Sequence, residues 1–294
     1  MDHVTQLLLD AADDMLNYQN TFILVVTSGQ LMKALVTVKE VVTVGDEFEI
    51  EGTEIPPQYL ETELNEWDSF ALEEAVQLRE ADVIEEVVTV TIGPESCENT
   101  IRQALAKGAD RGIRIWDEAL EDVSQLDVNA KTDILSAVVE SENPDLILSG
   151  VQAGDDGFGA TGVSLAREIG FQWGAVVNHL NHEIADGVAA VRRELEGGIE
   201  EETEIELPAV LTIQSGINEP RYASMRGIRQ ARQKELASVT LTDLGVTSDA
   251  VTPELRLTDM YEPETESAAT VFEGDAEETA GRLADLLENK GVVQ

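Results

Sequence analysis

The sequence predicts an α/β fold: a doubly wound, mostly parallel sheet of Rossmann-like type, with a β-rich C-terminal part and an extended tail. Three observations carry this. Short apolar runs alternate with helical patterns from Met32 to about residue 170. The runs are apolar at consecutive positions rather than at alternate ones, which marks strands buried on both faces. A glycine-rich stretch, GVQAGDDGFGATG (150–162), joins one such run to a helical pattern, which is the layout of a phosphate cradle.

The elements follow in order. KALVTVK (33–39) reads as the first buried strand, and a polar, acidic segment runs from there to about Asn65. WDSFALEEAVQLREA (67–81) has helical spacing at Phe70, Ala71, Ala75 and Leu78. EVVTVTIG (86–93) is a strand, CENTIRQALAKGAD (97–110) a helix stopped by Gly108, and GIRIW (112–116) a strand. AKTDILSAVVESEN (130–143) is a helix ended before Pro144, DLILS (145–149) a strand, and TGVSLAREIG (161–170) a helix closed by Gly170. Alternation at these lengths argues for right-handed βαβ crossovers, which place ligands beyond the carboxyl ends of the strands. After about residue 174, GAVVNHL, GVAAVRRELEGG, EETEIEL and PAVLTIQ read as further strands, and helical spacing returns over RYASMRGIRQARQKEL (221–236). The tail is polar and aperiodic until EGDAEETAGRLADLLENKG (273–291), a terminal helix. The expected division is therefore an extension over 1–31, an α/β domain over 32–236 and an extended arm over 237–294. Met32 opens MKALVTVKEV like a natural chain start, so residues 1–31 read as an added segment or a helix-forming arm.

Composition bounds the function. The 294 residues carry 59 acids against 19 bases, a net charge of −40. Phosphate backbones and anionic membrane surfaces are held by Lys and Arg, so this charge argues against both, and no window has the unbroken apolar length of a membrane helix, so direct membrane insertion is not expected. The acids lie along most of the chain, which is the expected surface of a protein from a very salty cytoplasm, where salt screens self-repulsion. One cysteine, Cys97, permits no internal disulfide. It reads as a packing residue, or as a helix-start thiol of lowered pKa. The three histidines give no metal spacing, and His179 and His182 in NHLNHE read as solvated loop residues.

The glycine loop fits neither standard nucleotide motif. A triphosphate loop needs a lysine, and this stretch has none. A dinucleotide fingerprint follows the first strand, and this one follows the fourth. What remains is a row of main-chain N–H groups at a helix start, suited to one modest anion. Asp155 and Asp156 then either accept from a ribose or cap the turn.

Six ordered motifs, MKALVTVKEV, NEWDSFALEEAVQL, TIGPESCENTIRQALAKGADRGI, GVQAGDDGFGATG, RELEGGIEEETEIELPAVLTI and INEPRYASMRGIRQAR, resemble those of the β subunit of electron transfer flavoprotein, the FixA family. The resemblance runs from Met32 to about Leu244. It implies a heterodimer with a FixB-like α subunit that holds the redox FAD, and an adenine nucleotide in the β subunit: AMP, or a second FAD in electron-bifurcating members. It implies a cytoplasmic carrier without catalytic residues, taking electrons from acyl-CoA or other dehydrogenases to a FixC-like quinone oxidoreductase. By match, the nucleotide contacts fall at Thr37, at Asn65, Glu66, Trp67 and Asp68, and at Ile92. They continue through Gly150, Val151, Gln152, Ala153, Gly154, Asp155, Asp156, Gly157, Phe158, Gly159, Ala160 and Thr161.

The resemblance also implies docking residues. Glu194 would face the flavin-bearing subunit, and Met225, with Tyr222, Arg226 and Arg229, would meet partner dehydrogenases. The tail would wrap the α subunit. The chain departs from the family pattern in places: Glu66 and Arg226 stand where proline is usual, Val44 offers no aromatic near the flavin, and Asp68 occupies a position that differs between plain and bifurcating types. Trp67 reads either as a base-stacking residue or as a core residue at a helix start. The competing function is a non-redox nucleotide-binding regulator of the same α/β superfamily.

Overall fold

The computed structural model describes residues 32–121, 123, 125–262 and 270–292. The expected extension over 1–31 lies outside the described residues.

One nine-stranded sheet forms the frame. Its strands are β1 (Met32–Thr37), β4 (Ile84–Ile92), β5 (Arg111–Ile115), β6 (Leu146–Gly150), β7 (Gln172–Leu180), β8 (Val188–Leu195), β9 (Ile199–Glu206), β10 (Ala209–Ile213) and β11 (Leu236–Val239). The order is β11-β5-β4-β1-β6-β10-β7-β8-β9. Every pairing from β11 to β7 is parallel, and β7, β8 and β9 pair antiparallel. The β-rich C-terminal part is therefore not a separate layer. Its last long strand, β10, inserts between β6 and β7, and β11 crosses the expected boundary at residue 236 to complete the opposite edge.

Consecutive apolar residues divide between two cores because side chains alternate across a strand. Ala34 and Val36 of β1, with Leu146 and Leu148 of β6, pack on one face against α1 (Glu66–Glu80) and α2 (Glu98–Lys107). Leu35 and Ile147 point the other way, against α3 (Val128–Glu142) and α4 (Thr161–Ile169). The helix ends are set locally. Asp127 caps α3 by accepting from the Ala130 N–H, and Asn143 and Gly170 close α3 and α4 in the left-handed conformation.

Three local expectations need correction. The acidic stretch before Asn65 is not plain loop: β2 (Glu40–Val44) and β3 (Leu60–Leu64) pair antiparallel as a separate hairpin. The helix expected over 221–236 is confined to α5 (Met225–Ala231), because Arg221 is tied down before it and β11 begins soon after. His179 lies on β7 rather than in a loop, and His182 Nε2 sits 2.8 Å from the buried Glu74 carboxylate. The tail from Leu241 to Val251 packs on the domain's own second core, and the terminal helix is α6 (Ala276–Asn289), with no buried residue.

Candidate functional site

A cavity of about 980 Å³ opens at the carboxyl ends of β1, β4 and β6, the place a parallel sheet reserves for ligands. The β2–β3 hairpin walls one side with Val42, Val44 and Leu60, and the arm closes another with Leu257 and Met260.

The floor is fixed by Asp68 on the first turn of α1. Its Oδ1 accepts the Gly150 N–H at 2.9 Å and its Oδ2 the Lys39 N–H at 2.8 Å. One carboxylate thus ties the ends of β1 and β6 together. Burial raises its pKa from the ordinary 3.8 to about 6, against the opposing pull of the Lys39 N–H, the Asn65 side chain, the Gly150 N–H and the Lys39 charge. Gly150 must be glycine here: a Cβ would stand 2.5 Å from Asp68 Oδ1 and 2.7 Å from Trp67 Cβ.

Asn65, the N-cap of α1, is 2% exposed. Its Nδ2 donates to the Gln152 carbonyl at 2.9 Å. Its Oδ1 is buried without a partner, and the residue lines the cavity. An unpaired buried acceptor is costly, so this atom calls for a donor from a ligand. Beyond it the loop runs to α4, whose N-cap, Ala160, offers no side-chain acceptor. The first N–H groups of α4 are left for an anion.

The loop lacks a lysine of its own, yet two come to it from elsewhere. Lys39 Nζ, just past β1, lies 2.5 Å from Asp155 Oδ1 and 2.8 Å from Asp156 Oδ2. Lys131 Nζ, on α3, donates to Asp156 Oδ2 and sits 5.0 Å from the centre of the Phe158 ring. Burial opposes the charge on Asp156, but the two lysines hold its carboxyl below the usual range. Asp156 Oδ1 also accepts the Phe158 N–H at 3.2 Å. Gly157 and Gly159 adopt φ of +61° and +60°, which lets the loop turn back toward the helix.

Of the residues expected to contact a nucleotide, Thr37, Asn65, Asp68, Ile92, 150–156 and 159–161 line this one cavity. Glu66, Trp67, Gly157 and Phe158 are not in its lining. Trp67 turns away, its Nε1 donating to Gln214 Oε1 at 3.2 Å. Cys97 is buried, and burial with the Glu40 carboxylate beside it pushes the thiol up to about 12, so the lowered-pKa alternative does not hold. Sequence reasoning missed Lys39 and Lys131, the hairpin walls and the arm. Lys39 was within reach, two residues past Thr37. Lys131 had no local cue, since its partner lies 25 residues on.

Most of the residues expected to meet partner proteins form a second, exposed group. Tyr222 is 97% exposed and Met225 77% exposed, with Ile228 also open and Arg226 and Arg229 exposed around them. Arg221 anchors the segment: its Nε and Nη2 donate to Glu73 at 2.7 and 3.0 Å, and Nη1 and Nη2 to Glu80 at 2.6 and 2.9 Å. Asn218 Nδ2 donates to Glu74 and to the Phe70 carbonyl. Ser224 Oγ caps α5 by accepting from the Gly227 N–H. Glu194 is not part of this group; it stands exposed on β8, opposite Glu200 of β9.

No helix among the described residues is long and apolar enough to cross a membrane, and no cluster of three metal-binding side chains occurs among them. Residues 55–244 match the electron transfer flavoprotein domain. The chain is 42% identical over 262 residues to the electron transfer flavoprotein subunit beta of Methylophilus methylotrophus, covering 87% of this chain and 98% of that one. It is 33% identical over 264 residues to the mitochondrial subunit beta of Arabidopsis thaliana, covering 89% and 100%. It is 32% identical over 257 residues to the subunit beta of Bos taurus, covering 87% and 98%. The sheet, the cavity and this shared length agree: the chain belongs to the β-subunit family of electron transfer flavoproteins, a family of electron carriers rather than catalysts.

Proposed function

We propose that this chain binds an adenine nucleotide in the cavity and pairs with an α subunit that carries the redox FAD. The complex takes electrons from acyl-CoA or other dehydrogenases and delivers them to a quinone oxidoreductase or another acceptor, in a salty cytoplasm. The nucleotide is AMP in a plain carrier and a second FAD in a bifurcating one. The observation that carries the reading is the unpartnered, buried Asn65 Oδ1, on a residue that lines the same cavity as the uncapped start of α4. An acceptor for a sugar or base donor and free helix-start N–H groups for a phosphate, both lining one cavity, fit a nucleotide. Among the described residues of the cavity, Asp68 is occupied by two main-chain donors, and both lysines are held by carboxylates.

Docking of dehydrogenases is assigned to Tyr222, Met225 and their arginines, an exposed apolar group with a cationic rim that suits an acidic partner. Contact with the α subunit is assigned to Glu194 and the arm. The test is co-expression with the α subunit in high salt, followed by acid release and chromatography of bound nucleotides. One FAD and one AMP per dimer establish a plain carrier. Two FAD and no AMP establish the bifurcating type. No dimer and no flavin refute the proposal and leave the non-redox nucleotide regulator.

A further inference from the structure

The five cations between residues 221 and 234 divide by direction. Arg226, Arg229 and Arg232 are exposed. Arg221 and Lys234, one ahead of α5 and one behind it, turn inward. Arg221 holds Glu73 and Glu80 of α1. Lys234 Nζ donates to the Leu105 carbonyl at 2.9 Å and to the Ala109 carbonyl, at and just past the end of α2. In return Arg102 of α2 donates from one nitrogen, Nη1, to the Ala231 carbonyl at 2.7 Å and the Lys234 carbonyl at 2.8 Å, at and just past the end of α5. Each side supplies the cation for the other helix's last carbonyls, where unpaired acceptors and the helix dipole favour positive charge.

We infer that Lys234, with Arg102, is a positioning residue for docking: the pair locks α5 to α2 and so sets the direction in which Met225 faces a partner. The inference rests on reading Met225 and its neighbours as the surface that meets a dehydrogenase, and says what holds that surface in place. The lock matters because α5 has little else. It has seven residues and one buried side chain, Ala231, and so short a helix is not stable alone. Its backbone runs directly over α2: a Cβ on Gly227 would stand 2.3 Å from the Ala106 carbonyl oxygen. That approach sets the spacing of the two helices, and the reciprocal cations fix the far end of α5. The apparent affinity of a partner falls with the fraction of molecules in which the docking helix is in place. Lys234 and Arg102 therefore act on docking through α5, without touching the partner.

The experiment reduces the αβ complex with an acyl-CoA dehydrogenase and its acyl-CoA substrate. It measures kcat and KM for the complex beside its flavin and nucleotide content. Lys234→Met keeps the aliphatic stem and removes the ammonium. It raises KM about tenfold, the effect of α5 being in place in about one molecule in ten, while kcat and flavin content hold. Hydrogen exchange speeds up within 225–234 and not in α1. Lys234→Arg, whose guanidinium can fork to the same two carbonyls, restores most of the affinity. Arg102→Met raises KM in the same way and carries the test if the first variant does not fold. Met225→Glu, in the same assay, reports on the docking reading itself. A wild-type KM in the folded Lys234 and Arg102 variants, with Met225→Glu impaired, overturns the inference and leaves the docking surface standing. So does a loss of kcat or flavin with KM unchanged, the mark of a role confined to the fold. Reduction of Met225→Glu as efficient as that of the wild type, or no reduction of the wild type, overturns the docking reading and the inference together.

Discussion

Asp68 gives a pH dependence that can be worked from the structure. Its folded pKa is raised from 3.8 to about 6, chiefly by burial, and in the unfolded chain it returns to the ordinary value. The folded state therefore holds the proton over a range in which the unfolded state has lost it. Stability conferred by this group is fully present below the unfolded pKa, is lost as pH rises through the folded pKa, and is flat above about 7. Each pH unit inside that window is worth about 1.4 kcal/mol. Between about pH 5 and about pH 7.5 the wild type loses about 1.4 kcal/mol from this carboxyl alone. Asp68→Asn cannot titrate and lacks that loss. The variant carries a separate, pH-independent cost of about 1–3 kcal/mol, because its amide NH₂ must face one of the two main-chain N–H donors. With 59 acids in the chain, neither curve alone is informative, but their difference isolates this one group. Denaturant unfolding of both proteins at the two pH values, in constant high KCl, gives that difference. A constant gap between wild type and variant would refute the argument that Asp68 is desolvated and protonated near pH 6.

Other outcomes follow from the same geometry. Gly150→Ala forces a Cβ to within 2.5–2.8 Å of Asp68 and Trp67 atoms; it lowers stability by about 1–3 kcal/mol and empties the cavity, read by melting and by nucleotide content. Asp127→Ala removes the α3 cap and the 2.7 Å bond from the Glu254 N–H that straps the arm; it costs about 1–2 kcal/mol and exposes the arm near Leu257 to limited proteolysis. On the proposed reading, Met225→Glu places a charge in the exposed apolar group of Tyr222, Met225 and Ile228 and impairs reduction by a dehydrogenase while nucleotide content stays the same; unimpaired reduction removes Met225 from the proposed docking surface. With a net charge of −40, the melting temperature rises between about 0.1 M and about 2 M KCl, and a flat profile removes the salty-cytoplasm reading.

The parallel strands were legible because a strand buried on both faces writes itself as consecutive apolar residues, as in Ala34, Leu35 and Val36. The loop at 150–162 was legible for the same local reason: glycines at tight turns between a strand and a helix. The position of β10 was not, because PAVLTIQ reads the same whether it lies at an edge or, as found, between β6 and β7. The β2–β3 hairpin was hidden by its acids: in LETEL (60–64) three consecutive residues face solvent, so the alternation of a half-buried strand is lost. The helix expected over 221–236 was read from helical spacing across RYASMRGIRQARQKEL, whose large apolar residues include Tyr222, Met225 and Ile228. Those residues are exposed, and the segment is held instead through Arg221, whose main-chain N–H and guanidinium both donate to Glu73. The Lys39–Asp155 and Lys131–Asp156 pairs join separate elements, and no reading of one segment can supply them.

Helix α1 belongs to both functional groups. Its N-cap, Asn65, and first turn, Asp68, line the cavity and tie it to Lys39 and Gly150. Its middle turns hold the docking segment, Glu73 and Glu80 through Arg221 and Glu74 through Asn218. A helix of 15 residues is about 22 Å long and stiff over that length, so the two groups share one rigid base. A ligand that supplies the donor missing at Asn65 Oδ1 stabilises the folded state by mass action, and it does so at the start of the same helix that anchors Arg221, just ahead of Met225 on α5. On the proposed reading, a bound nucleotide that is neither oxidised nor cleaved steadies the helix to which Arg221 and Asn218 are tied, while α5 itself rests on α2 through Gly227 and Arg102.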